Sequence, residues 1–202
     1  MYLKVEELEK ELKQGIIHSL YLFYGEEKFL MDNSIKKIKN LFGDLLKGIN
    51  YVLIDETNIN SLISEIQMPS FGYDKKLIII KNSGVFKKSN VGKGKTSKTD
   101  NTLAGKIAEF IEENIAIIND AVILVFIESE IAPNTLSKTI DKYGVVCNFE
   151  KLKPAQITTR LKAICNAYKV KIDNQTMQEF IEICGTSMQA LINEIRKLIE
   201  YA

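Results

Sequence analysis

SLYLFYGEEKFLMDNSI, residues 19–35, changes period in mid-stretch. Its first six residues, 19–24, form an apolar run too short for a helix and too uniform for a half-exposed strand, so they read as a strand buried on both faces. Gly25 then punctuates the chain. From Phe29 onward the apolar residues Leu30, Ile35, Ile38, Leu41 and Phe42 recur at helical spacing. Buried strand, tight turn, helix is the opening of a strand-helix-strand unit. The same alternation continues outward from it. Strand-like runs stand at INYVLID (49–55), KLIIIK (76–81), AVILVFI (121–127) and VVCNFE (145–150). Helical patterns occupy 3–14, 27–42, 58–67, 102–117 and 134–143, the last starting at Pro133-Asn134. Strands separated by helices, with each strand apolar along its whole length, predict an α/β domain: a five-stranded parallel sheet with flanking helices, over residues 1–151.

After Leu152 the texture changes. Pro154 opens a stretch without strand pattern and with three helical ones, at 154–168, 173–184 and 187–201. Asp173 is placed to cap the second at its start and Gly185 to end it. In the third, Met188, Leu191, Ile192, Ile195, Leu198 and Ile199 form one apolar stripe. Residues 152–202 are therefore expected to form a small three-helix domain behind the α/β domain.

With 202 residues, 46% hydrophobic and 26% charged, the chain can bury a sizeable core. Its apolar runs are too short to cross a bilayer, and VEELEKELKQ near the N-terminus is not a secretory signal, so a cytoplasmic protein with no membrane partner is expected. A formal net charge of +1 supplies no global attraction for nucleic acid. Cys147, Cys165 and Cys184 are odd in number and far apart, which predicts buried structural thiols in place of disulfides or zinc. His18, the single histidine, precedes the first strand and is expected at a strand end.

Two loops are candidates for phosphate. VGKGKTS, residues 91–97, ends in the Gly-Lys-Thr of a P-loop, but the pattern needs a glycine at position 89, which is serine. No apolar strand leads directly into it, and it reads as a flexible loop within residues 87–100. The turn after the first strand, YGEEKFLMD (24–32), has one glycine, and Glu26 and Glu27 stand where backbone amides would meet a triphosphate. Asp55 and Glu128, at strand ends, could formally hold magnesium, but without a cradle they read as ordinary strand-end carboxylates. Neither a nucleophile elbow nor a metal-ligand cluster is legible elsewhere, so no cofactor, metal or catalytic residue is expected.

Three stretches together resemble the delta subunit of the bacterial DNA polymerase III clamp loader: SLYLFYGEEKFLMDNSI (19–35), MPSFGYDKKLIIIKN (68–82) and CGTSMQALINEIRKLIEYA (184–202). The resemblance extends over the whole chain. It implies a RecA-like, AAA+-type fold with sheet order 5-1-4-3-2, a degenerate nucleotide site and a helical lid. It also implies a component of the replicative DNA-directed DNA polymerase complex that binds the beta sliding clamp and helps open it for loading onto primed DNA, without hydrolysing ATP. The implied partners are that clamp, the delta prime and gamma/tau subunits, and primed DNA through the complex. Clamp contact is assigned by the resemblance to Met68, Pro69, Ser70, Phe71 and Gly72, with Phe71 entering an apolar pocket. Ser70 departs from the family, whose members usually carry a bulky apolar residue there. Members of the family continue into a helical collar domain that this chain is expected to lack.

From the residues alone Phe71 is expected to fold back under the third strand, because a large aromatic seldom stays in water without a reason; the resemblance reverses that expectation. Two rival functions also stay open. One is a divergent P-loop ATPase using residues 91–97, which a nucleotide-binding assay would reveal. The other is a basic DNA-binding module built on Lys87, Lys88, Lys93, Lys95 and Lys98, which a salt-dependent gel shift would reveal.

Overall fold

The computed structural model of the protein describes residues 1–87 and 102–201. The chain opens on a two-residue strand, β1 (Tyr2–Leu3), and helix α1 (Val5–Lys13). It then alternates through β2 (Leu20–Gly25), α2 (Lys28–Phe42) and β3 (Tyr51–Ile54). A 3₁₀ turn at Ile59–Ser61 leads into α3 (Leu62–Gln67), followed by β4 (Lys76–Lys81). Beyond the undescribed residues come α4 (Leu103–Glu113), α5 (Ile115–Ala121), β5 (Val122–Glu128), α6 (Thr135–Tyr143) and β6 (Val145–Phe149).

All strand pairs are parallel, in the order β1-β6-β2-β5-β4-β3. Without β1 this is the expected 5-1-4-3-2. The sheet has six strands, one more than the sequence predicts, because Tyr2–Leu3 adds alongside β6 with Tyr2 aligned to Val146. Two residues leave no periodic trace in a sequence. The helix expected over 102–117 is also two helices. Asn114 separates them, with non-helical φ, and its side-chain amide donates to the Phe110 carbonyl at 2.9 Å, ending α4.

Four of the five longer strands bury their apolar runs; β3, at the sheet edge, buries only Ile54 and leaves Leu53 exposed. Every residue of β5 is buried, as are Leu77–Ile80 of β4 and Leu20–Phe23 of β2. Helices α3, α4 and α6 cover one face, where Leu62, Ile107, Ile111, Leu136 and Ile140 pack on Leu22, Ile78, Leu124 and Phe126. Asn134 caps α6, accepting from the Ser137 amide at 3.0 Å.

The chain divides into two compact units, Met1–Phe149 and Glu150–Ala202. The second holds α7 (Pro154–Ala167), α8 (Asn174–Cys184) and α9 (Met188–Tyr201). Asp173 caps α8 by accepting from the Thr176 amide at 2.9 Å, and Gly185, with φ of +81°, ends it. The stripe of α9 is buried at Met188, Leu191, Ile192 and Ile195, whereas Leu198 is exposed. Cys147 and Cys165 are buried and Cys184 is half-buried; all three are free thiols. Burial pushes the Cys147 thiol up to about 12.

Candidate functional site

In a parallel sheet of this kind, ligands are held at the carboxyl ends of the strands. Here, among the described residues, the turn after β2 is bonded to the protein itself. Gly25 ends β2 with φ of +126°, and a Cβ at that position would lie 2.3 Å from the Phe149 carbonyl oxygen. The turn is thus pressed against the end of β6. Its amides are used there: Gly25 donates to the Ser129 carbonyl at 3.2 Å and Glu27 to the Phe149 carbonyl at 2.9 Å. In a P-loop, amides at this turn would face phosphate.

The two strand-end carboxylates are also committed. Asp55 accepts from the Thr57 amide at 2.8 Å and hydroxyl at 2.6 Å, bonds that hold its carboxyl below the usual range. Buried Glu128 accepts from the Ser83 amide at 2.8 Å and hydroxyl at 2.5 Å; desolvation nonetheless raises its carboxyl above the ordinary value. Lys87, the one member of the expected basic cluster within the described residues, pairs with Glu56 at 2.8 Å. Lys88, Lys93, Lys95 and Lys98 lie outside the described residues, as do the VGKGKTS segment and most of the predicted loop 87–100.

The opposite edge differs. Between α3 and β4 the chain leaves the sheet at its amino end and returns through Met68–Lys75. Met68, in extended conformation, stops the helix, and Pro69 cannot continue it. Residues Ser70 to Tyr73 then make a tight turn: the Tyr73 amide donates to the Ser70 carbonyl at 2.8 Å, and the Ser70 hydroxyl donates to the Tyr73 carbonyl at 2.7 Å. Gly72 takes φ of +81° while Phe71 keeps a negative φ, the type II pattern. This turn places Phe71 at its tip, 76% exposed, with Met68 51% exposed beside it. Phe71 does not fold under β4: the turn holds its backbone and its side chain stands in solvent. Tyr73, Asp74 and Lys75 continue into one wall of a cleft of about 740 Å³, whose other walls include His18, Asp44 and Tyr143. His18 lies at the strand end as expected, its Nε2 3.0 Å from a Glu11 carboxylate oxygen.

All five residues assigned by resemblance, Met68 to Gly72, are therefore brought together on one projecting turn. Sequence reading missed what holds the turn at its base. Lys76, the first residue of β4, is 2% exposed; its ammonium donates to the Glu65 carbonyl at 3.0 Å and lies 3.7 Å from the Glu65 carboxylate. The one available signal was a lysine heading an unbroken run of four apolar residues. Such a position buries the stem and demands a partner for the charge.

A sequence profile of the family described as DNA polymerase III, delta subunit, matches residues 21–150. The DNA polymerase III subunit delta of Bacillus subtilis is 20% identical over 195 residues, covering 95% of this chain and 54% of its own. A probable DNA polymerase III subunit delta of Aquifex aeolicus is 23% identical over 189 residues, 91% of this chain and 50% of its own. The chain thus spans about half the length of the curated relatives it matches. Among solved structures, the Bacillus subtilis DNA clamp loader delta protein superposes with a TM-score of 0.72 at 17% identity, over 98% of this chain and 57% of that one.

Proposed function

The chain belongs to the DNA polymerase III delta-subunit family, and from that premise we propose that it is the part of a clamp-loader delta subunit that grips the sliding clamp. The observation that carries the reading is Phe71, a large aromatic held in solvent at the tip of a hydrogen-bonded turn. Ordering a side chain at an interface costs binding energy, and a turn fixed beforehand avoids part of that cost. An exposed aromatic on a rigid turn is the kind of anchor that dominates a protein-protein contact. Phe71 enters an apolar pocket on the beta clamp, flanked by Met68 and Pro69. The segment favours an opened clamp by binding that state more strongly than the closed one, since a ligand shifts an equilibrium only by its differential affinity.

The protein does this without hydrolysing ATP. Supporting this are the amides of Gly25 and Glu27, already bonded to carbonyls of Ser129 and Phe149 at the family's nucleotide edge. The energy of ATP then enters through other subunits of the loader, with delta prime and gamma/tau as partners and primed DNA reached through the assembly. On this reading the α/β unit is the AAA+-type domain, the unit from Glu150 onward its helical lid, and the protein works in the cytoplasm. Capture of the cognate sliding clamp by the intact chain, and its loss on Phe71→Ala, tests the proposal. A wild-type chain that retains no clamp, or a Phe71→Ala chain that retains as much as wild type, would sink it.

A further inference from the structure

The neck of the Phe71 turn shows a substitution of one hydrogen-bond donor for another. In a continuing helix the Glu65 carbonyl would accept from the amide of residue 69, four positions on. Residue 69 is proline and has no amide hydrogen. The Lys76 ammonium donates to that carbonyl instead, from the far side of the turn, at 3.0 Å. A cation at the carboxyl end of a helix is also favoured by the partial negative charge gathered there. We propose that Lys76 is the positioning residue of the Phe71 segment: its buried ammonium clasps Glu65 across the neck and fixes how the turn leaves the sheet.

The clasp joins the two ends of the excursion, residue 65 before it and residue 76 after it. Between them lie eight consecutive residues, Met68 to Lys75, of which all but Ser70 are exposed, so burial does not anchor the segment. What holds it is the Met68 amide on the Ser64 carbonyl at 3.0 Å, the turn bonds between Ser70 and Tyr73, the Lys75 ammonium on the Asn119 carbonyl at 3.2 Å, and the Lys76 clasp. Of the two lysines, Lys75 is exposed and Lys76 is buried, so water competes more strongly with the first bond than with the second. Lys76 therefore acts on the partner only through Phe71.

This inference rests on the clamp-docking reading, and its test separates the two. Clamp affinity is measured by calorimetry on the intact chain as wild type, Phe71→Ala, Lys76→Met and the double variant, below the unfolding temperature of each. Amide hydrogen exchange is followed on the same proteins. Lys76→Met keeps an unbranched apolar stem and removes the donor. It is expected to weaken clamp binding about tenfold and to speed exchange at the Met68 and Tyr73 amides, while exchange at Ile78 to Ile80 in β4 stays within a few-fold of wild type. In the Phe71→Ala background it is expected to add less than a further threefold, because the residue it positions is gone. A purely structural role would instead lower protection across β4 and leave the two losses multiplicative, which overturns the proposal, as does wild-type affinity in Lys76→Met. Should Lys76→Met fail to fold, Lys76→Gln, with a shorter uncharged donor, carries the same expectations. If Phe71→Ala binds the clamp as wild type does, the docking reading fails, and exchange alone judges the clasp: faster exchange at Met68 and Tyr73 in Lys76→Met keeps it, unchanged exchange ends it.

Discussion

The two edges of the sheet dispose of their polar groups in opposite ways. At the carboxyl edge the groups that would greet a ligand are turned on the protein: Gly25 and Glu27 amides on the ends of neighbouring strands, Glu128 on Ser83, Asp55 on Thr57. At the amino edge the hydrogen bonds are spent on holding a turn whose apolar side chain is left in water. An edge that satisfies itself gives stability, and an edge that rigidly presents unsatisfied apolar surface gives binding. On the docking reading proposed above, an α/β scaffold keeps its architecture while its working surface lies at the other end of the strands.

Substitution at each edge should therefore move a different observable. The largest effect is expected at the closed edge. Gly25→Ala places a methyl against the Phe149 carbonyl and asks alanine to adopt φ of +126°, so it should cost about 3 kcal/mol of stability in urea unfolding. Clamp affinity, measured where the variant is still folded, should stay near wild type. A Gly25→Ala protein as stable as wild type would show that the edge is less tightly closed than the geometry indicates. Phe71→Ala is the mirror image. It should lower clamp affinity by about 2 kcal/mol, while thermal unfolding of the same preparation reveals a stability change below about 1 kcal/mol. A large loss of stability with unaltered clamp binding would reverse the contrast between the edges.

A smaller effect is expected from Ser70→Ala, which removes only the hydroxyl that donates to the Tyr73 carbonyl. One exposed turn bond should be worth about 0.5–1 kcal/mol of clamp affinity, measured against Phe71→Ala in the same titration. This bond gives the Ser70 side chain a use of its own in the turn. The smallest effect concerns Glu128. Its folded carboxyl holds a proton to higher pH than the ordinary value of 4.5, chiefly through desolvation. The group therefore favours folding at low pH, and that contribution is lost as pH rises through the raised value. Glu128→Gln can still accept from Ser83 and carries no charge. It should be slightly more stable than wild type at pH 7, with the advantage vanishing below about pH 4.5; urea unfolding at pH 7 and pH 4 checks the sign.

Most of the architecture was legible because a sheet buried on both faces writes itself as apolar runs. The strands expected at 76–81 and 145–150 appear at Lys76–Lys81 and Val145–Phe149, within a residue. What escaped carried no such signal. β1 is two residues long and recognisable only by its neighbour β6. The break at Asn114 depends on one side chain choosing the backbone of its own helix. At the site, Pro69 and Gly72 announced a turn, but the residues alone pointed Phe71 inward, whereas it is exposed. Its exposure goes with the turn closed by hydrogen bonds between Ser70 and Tyr73, which no composition announces. The Lys76 clasp lay further out of reach, since it pairs a strand residue with a helix carbonyl, and backbone acceptors are the same at every position.

The order of strands has a consequence for how the protein is made. Of the long strands of this sheet β2 is synthesised first, yet it lies between β5 and β6, with Leu20 aligned to Leu124 and Tyr21 to Val145. At a typical elongation rate of about 5–20 residues per second, the ribosome needs roughly 6–25 seconds to pass from the end of β2 to the end of β6. In that interval an apolar strand of six residues waits with both hydrogen-bonding edges open until β5 is made, and with the edge that takes β6 open to the end. A nascent chain arrested before β5 should therefore recruit chaperones, and release them only once the strand ending at Phe149 has emerged.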